Sequence, residues 1–251
     1  YLTKRRKNMI EKKIHYCWFG GNELPTKAKR CIKSWKKYFP DYEIIEWNEK
    51  NFDINFNNYA KEAYLNKKYA FFTDVARLYI IYHNGGIYFD VDVEVIKKFD
   101  NDILSNEAFF GLETENTVNT GLGFGATKKN WIIKEMLDDY NDKKFLSKDG
   151  KMDMTPCPII NSRVFRKNGF ELNGNYEKIN DVAIYPIDFF NPLEAATGRL
   201  NKTKNTQSIH WFLKSWVPKK QLIISNITKP FHRIFGINCF KWIKKLGGHK
   251  K

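Results

Sequence analysis

Between Lys13 and Trp47 the hydrophobic pattern changes period twice. KKIHYCWFGG reads as a strand, Lys13 to Phe19, stopped by Gly20 and Gly21. In LPTKAKRCIKSWKKYFP, residues Ala28, Cys31, Ile32, Trp35 and Phe39 recur at steps of three and four, which predicts an amphipathic helix ending before Pro40. YEIIEWN, Tyr42 to Trp47, is strand again. This strand–helix–strand unit favours a parallel sheet, and so an α/β domain. Further elements are expected along the chain. Helices are read at Ile54 to Lys67 and Asn130 to Tyr140. Strands are read at Ala108 to Leu112, in NTGLGFGA, in DVAIYPIDFFNP and in TQSIHWFLKSW, and TPCPIINSRVFRKNG reads as a loop and a short helix.

The 251 residues suffice for one sizeable domain, and 42% hydrophobic with 16% aromatic content can fill its core. No segment reaches the roughly 18 apolar residues of a membrane span. The basic start, YLTKRRKNMIEKK, lacks an apolar stretch, so no secretory signal is expected, and residues 1–8 are set aside as a basic leader before Met9. Cys17, Cys31, Cys157 and Cys239 are scattered, which argues against a zinc site or disulfide framework and fits a reducing cytosol. The net charge of +15 is uneven: no Asp or Glu follows Glu194. A compact domain of residues 9–216 and a basic tail of residues 217–251 are therefore expected.

The segment GGIYFDVDVEVI, residues 85–96, has the alternation of one continuous strand. Ile87, Phe89, Val91, Val93 and Val95 fall on one face, with Tyr88, Asp90, Asp92 and Glu94 on the other. Two readings of the paired carboxylates stand: a solvated strand face, or a site where a divalent cation relieves their repulsion. The preceding stretch, KYAFFTDVARLYIIYHNGG, predicts a helix capped near Thr73 or Asp74 and ended by Gly85, with Val75, Leu78, Tyr79 and Tyr82 as its apolar stripe. Asp74 and Arg77 share a face of it, as a surface ion pair or as a partly buried pair with a task.

Open α/β sheets bind ligands beyond the C-terminal ends of their strands. Trp18 closes the first strand, as a core aromatic or as a platform for a planar base. Trp18, Asp74, Arg77, Asp90 and Asp92 all fall at expected strand ends or helix starts. Together they would supply a base platform, ribose contacts, an anion clamp and a metal site, as a nucleoside diphosphate needs.

HYCWFGG, YAFFTDVARLYIIYHNGGIYFDVDVEVI, NTGLGFGA and SIHWFLKSW together resemble glycosyltransferases with a DXD motif. They look like family 32, which includes fungal α-mannosyltransferases and bacterial capsule and lipopolysaccharide enzymes. The same blocks are similar to the glucosylating domains of the large clostridial toxins. The resemblance implies a GT-A, Rossmann-like fold with a mostly parallel central sheet flanked by helices. It implies a metal-dependent, retaining hexosyltransferase using Mn²⁺ or Mg²⁺ and a nucleotide sugar, UDP-linked by preference, with a surface-glycan acceptor. On that resemblance Trp18 stacks on the base, Asp74 and Arg77 hold the donor sugar and diphosphate, and Tyr88 and Asp90 contact ribose or metal. Asp92 ligates the metal, and Asn119 sits near the donor sugar. The toxins' late acidic metal residue has no counterpart after Glu194. His210 of SIHWFLKSW takes that role by likeness to other retaining GT-A enzymes; its alternative is a strand residue beside Trp211.

The tail from Ser225 is basic and aromatic. Pro230 suits a first helical turn and Gly247 a helix stop. Phe231, Ile234, Phe235, Cys239, Trp242 and Leu246 gather on one side, with Arg233, Lys244 and Lys245 opposite or at the flank. Such a helix either packs on the domain or attaches to an anionic inner membrane face, where a lipid-linked acceptor would lie. A cytoplasmic enzyme, peripheral on the plasma membrane, is then expected. Two rivals remain at this stage: a nucleotidyltransferase or sugar-nucleotide hydrolase using the same metal site, and a basic polyanion-binding protein. The near-balanced charge of residues 9–194 disfavours the second, and no nucleic-acid partner is expected.

Overall fold

The computed structural model describes residues 9–213 and 219–240. The chain opens with β1 (Lys13–Cys17), α1 (Thr26–Tyr38), β2 (Glu43–Trp47), α2 (Asn58–Leu65), α3 (Tyr69–Asn84) and β3 (Gly86–Tyr88). Next come β4 (Val93–Val95), α4 (Asn101–Leu104), β5 (Ala108–Thr114), β6 (Thr117–Val118), a 3-10 turn at Thr120–Leu122, and β7 (Phe124–Ala126). It continues through α5 (Trp131–Asn141), α6 (Cys157–Lys167), β8 (Glu177–Ile179), β9 (Val182–Tyr185), α7 (Ile187–Phe190), β10 (Ser208–His210) and α8 (Lys219–Phe235).

The strand–helix–strand unit forms as its periodicity requires, with β1 and β2 parallel from Lys13↔Glu43 to Cys17↔Trp47. The main sheet runs β2-β1-β3-β7-β5-β9-β8, with β6 beside β5. β2, β1, β3, β5 and β9 share one direction, while β7 and β8 run against it. The class is α/β, with a mostly parallel central sheet flanked by helices. A second, two-stranded antiparallel sheet joins β4 to β10.

Strand alternation sorts the core into two layers. On one side Cys17, Tyr88, Phe110 and Ile184 pack with Phe72, Val75, Ile133 and Phe165 of α3, α5 and α6. On the other, Ile14, Tyr16, Ile87 and Phe109 pack with Cys31, Trp35, Ile103 and Phe190 of α1, α4 and α7. The Trp35 indole N–H donates to the Val93 carbonyl at 2.7 Å, which fixes α1 against the second sheet.

The α3–β3 junction is tight. Gly85 ends α3 at φ 65°, its N–H reaching the Ile81 carbonyl at 2.8 Å. Gly86 follows at φ 102°, where a Cβ would stand 2.7 Å from the Lys13 carbonyl oxygen. Both positions therefore exclude a side chain. Beneath them His15 accepts the Trp47 indole N–H on Nδ1 at 3.0 Å and donates from Nε2 to the Gly85 carbonyl at 3.0 Å. Only the neutral Nε2–H tautomer satisfies both bonds, and burial holds this imidazole down to about 4.

Three local expectations are corrected. Residues 85–96 do not form one strand: β3 ends at Tyr88, Val91 and Asp92 form a turn, and β4 begins at Val93 in the other sheet. The turn is closed by Val93 N–H to the Asp90 carbonyl at 3.0 Å, while Phe89 N–H still reaches His15 at 3.1 Å. α3 starts at Tyr69, a full turn before Thr73, because Phe72 is already needed in the core. Pro230 lies inside α8 rather than in a first turn, and Gly236, at φ 81°, follows the helix end. The expected boundary at Trp216, and Trp242, Leu246 and Gly247 of the expected tail helix, lie outside the described residues. No helix among the described residues is long and apolar enough to cross a membrane.

Candidate active site

β1, β3 and β5 point the same way, so the residues just past their C-terminal ends leave the sheet at one edge. Those residues include Trp18 and Asp90, and Glu113 stands at the same edge as the penultimate residue of β5. Asp74 and Arg77 reach the same region from within α3, in its second and third turns rather than at its start.

Arg77 is the hub. It is 2% exposed, and its guanidinium pairs with Asp74 on one side and with Asp90 Oδ1, at 3.3 Å, on the other. Nη2 also lies 2.8 Å from Cys157 Sγ at the start of α6. Nε is buried without a hydrogen-bond partner. Of the two readings from the sequence the pair follows the partly buried one, Arg77 being buried and Asp74 of intermediate exposure, and its cation balances two carboxylates from different elements. The Tyr88 hydroxyl donates to Asp90 Oδ1 at 3.1 Å. Burial pushes the Asp90 carboxyl up to about 6, with Arg77 opposing and Asp92 reinforcing the shift.

Asp92 faces the other sheet. Its Oδ1 lies 3.1 Å from His210 Nε2, and its Oδ2 accepts the Leu213 backbone N–H at 2.7 Å. Burial works to raise this carboxyl, but His210 and the backbone N–H hold it below the usual range. His210 Nδ1 is buried without a partner. One ligand atom from each of Asp90, Asp92 and His210 can be chosen so that all lie within 4.8 Å of one another. The two carboxylate oxygens are hard donors that suit Mn²⁺ or Mg²⁺, and the imidazole nitrogen favours the transition metal of the two. The split of the strand is what makes this convergence possible: each aspartate hangs from its own sheet, and the turn aims both at β10.

Asn119 joins the group through its amide. Oδ1 accepts the Gly121 N–H at 2.6 Å, and Nδ2 donates to Glu113 Oε2 at 3.2 Å. Gly121 is pressed against Asp90: a Cβ there would stand 2.5 Å from Asp90 Oδ2. Trp18 is half-buried, with its indole N–H on the Asn22 carbonyl at 2.5 Å. It stands one residue past Cys17, whose buried thiol neighbours Tyr88. Among the described residues no hydrogen bond or ring contact ties Trp18 itself to the polar group.

The sequence reading missed Glu113, Cys157 and Gly121. Glu113 carried a signal, an acid near the C-terminal end of a strand; burial raises its carboxyl. Nothing in TPCPII marks Cys157 as a partner of Arg77. Gly121 sits among other glycines in NTGLGFGA, and only the position of Asp90 singles it out.

Residues 25–110 match the family described as "Glycosyltransferase sugar-binding region containing DXD motif". The matched segment contains Asp74, Arg77, Tyr88, Asp90 and Asp92, but not Trp18, Asn119 or His210. Among curated proteins the chain is 22% identical over 262 residues to "Subversion of eukaryotic traffic protein A" of Legionella pneumophila, covering 88% of this chain and 37% of that protein. It is 23% identical over 176 residues to "Inositol phosphoceramide mannosyltransferase 1" of Schizosaccharomyces pombe, covering 63% of this chain and 52% of the relative. The chain thus spans about a third to a half of these relatives. Among solved structures, "PaToxG Glycosyltransferase" aligns with a TM-score of 0.47 at 19% identity, over 64% of this chain and 71% of that one.

Proposed function

We propose that this chain is a metal-dependent, retaining glycosyltransferase of the DXD type, with a GT-A arrangement. It would move a hexosyl group from a nucleoside diphosphate sugar, UDP-linked by preference, to a hydroxyl of a surface glycan or lipid-linked glycan. One observation carries the reading: the ligand atoms of Asp90, Asp92 and His210 converge within 4.8 Å, and both aspartates belong to the segment matching that family.

The chemistry follows from the charges. The bond between the anomeric carbon and the diphosphate oxygen breaks, and a bond to the acceptor oxygen forms on the same face. The acceptor's proton passes to the departing diphosphate. Asp90, Asp92 and His210 would hold a Mn²⁺ or Mg²⁺ ion, which would supply positive charge to neutralise that leaving group. Arg77, pinned between Asp74 and Asp90, adds a fixed positive charge that needs no reorganisation. Trp18 serves as the platform for the base, and Tyr88 and Asp90 border the ribose. Asp74 and Asn119 border the donor sugar.

The test is nucleotide release from a panel of UDP- and GDP-sugars, with Mn²⁺, with Mg²⁺ and with chelator. At least one donor is expected to be hydrolysed slowly without acceptor and only with metal. Asp92→Ala should lower that rate at least a hundredfold while the far-UV circular dichroism spectrum stays unchanged. Full activity of Asp92→Ala in chelator would sink the reading, as would the absence of release from every donor.

A further inference from the structure

The seventeen residues of α8 carry an apolar face that, among the described residues, is met only at Phe231, by Phe240. Ile223, Ile224, Ile227, Phe231, Ile234 and Phe235 are all exposed, Ile234 at 73% and Phe235 at 69%. At about 100° per residue these six fall within one arc of about 120°. Lys229, His232 and Arg233 lie outside it. The helix touches the domain with its other side: the Arg199 guanidinium donates to the Arg233 carbonyl, and Gly198 lies beside the Lys229 stem. After Gly236 the chain turns, and Phe240 packs on Phe231 and His232 while Ile237 stays exposed.

We propose that this face of α8 docks on an anionic lipid bilayer, lying in the interface with its apolar arc among the acyl chains. Charge selects this occupant. The residues after Glu194 hold thirteen Lys and Arg and no Asp or Glu. A second copy of the chain would bring the same positive charge to the contact, and a nucleic acid has no use for six exposed aliphatic and aromatic side chains. A bilayer with acidic headgroups satisfies both halves of the helix at once. α8 leans on Gly198 and Arg199, in the connection leading to β10 and His210, so attachment holds the catalytic domain at the surface where a lipid-linked acceptor resides. The surface is read from α8 alone; only its purpose rests on the proposed transferase reading.

Sedimentation with vesicles tests this without any nucleotide sugar. The probes are vesicles of phosphatidylcholine alone and of phosphatidylcholine with phosphatidylglycerol, at low and high salt. The full chain is expected to sediment with the anionic vesicles at low salt, with at least tenfold weaker binding at high salt and to neutral vesicles. The double variant Ile227→Asn, Ile234→Asn adds no charge and should lose at least tenfold in vesicle affinity, while its melting temperature and nucleotide release match the parent. Equal sedimentation by parent and variant would overturn the proposal. So would a parent that stays in the supernatant with anionic vesicles, or one that forms dimers which the variant abolishes. Because nucleotide release is assayed separately, a failure of vesicle binding is distinct from a failure of the transferase reading.

Discussion

Gly121 shows how little room the acidic turn has. Its missing Cβ would meet Asp90 Oδ2 at 2.5 Å and Asn119 Oδ1 at 3.0 Å, with Arg77 Nη1 at 3.3 Å. Gly121→Ala is expected to displace Asp90 and to cost about 1–3 kcal/mol of stability through overpacking. Its Mn²⁺ affinity, read by calorimetry, should fall by about tenfold or more, near 1.4 kcal/mol. Unchanged Mn²⁺ affinity would show that Asp90 is not a ligand. Trp18 gives a second residue-scale expectation. It is half-buried and lies one residue past β1, on the sheet edge shared with Asp90, where the proposed function puts the base. Trp18→Ala should weaken nucleotide binding by about 1–3 kcal/mol, the scale of base–aromatic stacking. Calorimetry with UDP and GDP checks it; equal affinities for parent and variant would remove the stacking role.

At the scale of elements, His15 ties β1 to β2 and to the end of α3 through two bonds that both require a neutral ring. The folded-state value of about 4 lies below the unfolded value of about 6.5, so the unfolded chain binds the extra proton between them. The contribution is intact above about pH 6.5 and is lost as pH falls toward about 4, up to about 3 kcal/mol in total. Denaturant melts between pH 7 and pH 4.5 should show this loss, and His15→Gln should flatten its slope; an unaltered slope would contradict the assignment. Elements also mark the limits of reading the chain as text. α1 and the strands around it were legible because Ala28, Cys31 and Trp35 bury one stripe on one sheet face. The break after β3 was not. Ile87, Phe89, Val91, Val93 and Val95 keep perfect alternation, and what divides them is remote: β10 captures Val93 to Val95, and His15 draws Phe89 aside. α3 likewise began early because its first turn fills a core position that only the folded sheet defines. The aspartates and Arg77 were visible as chemistry. Their arrangement about Arg77, with Cys157 eighty residues on, depends on long-range contact.

Across the whole molecule, two sheets meet at the acidic turn, and helices of both layers support it. Asp90 follows from the main sheet, Asp92 leads into the small one, and His210 closes the group from the far end of the described domain. Asp92 and Leu213, joined at 2.7 Å, are 121 residues apart along the chain. A contact of that span forms late, since the entropy of closing the loop must be met first. On a ribosome the consequence is temporal. The nascent chain can build β1, β2, α3 and β3 while its later half is still unmade, and it will display the two aspartates with no imidazole opposite them. An imidazole comes opposite them only when β10 has emerged and paired with β4. The basic helix α8 emerges after it, so the cluster of Asp90, Asp92 and His210 can be complete before the exposed apolar arc of that helix is made.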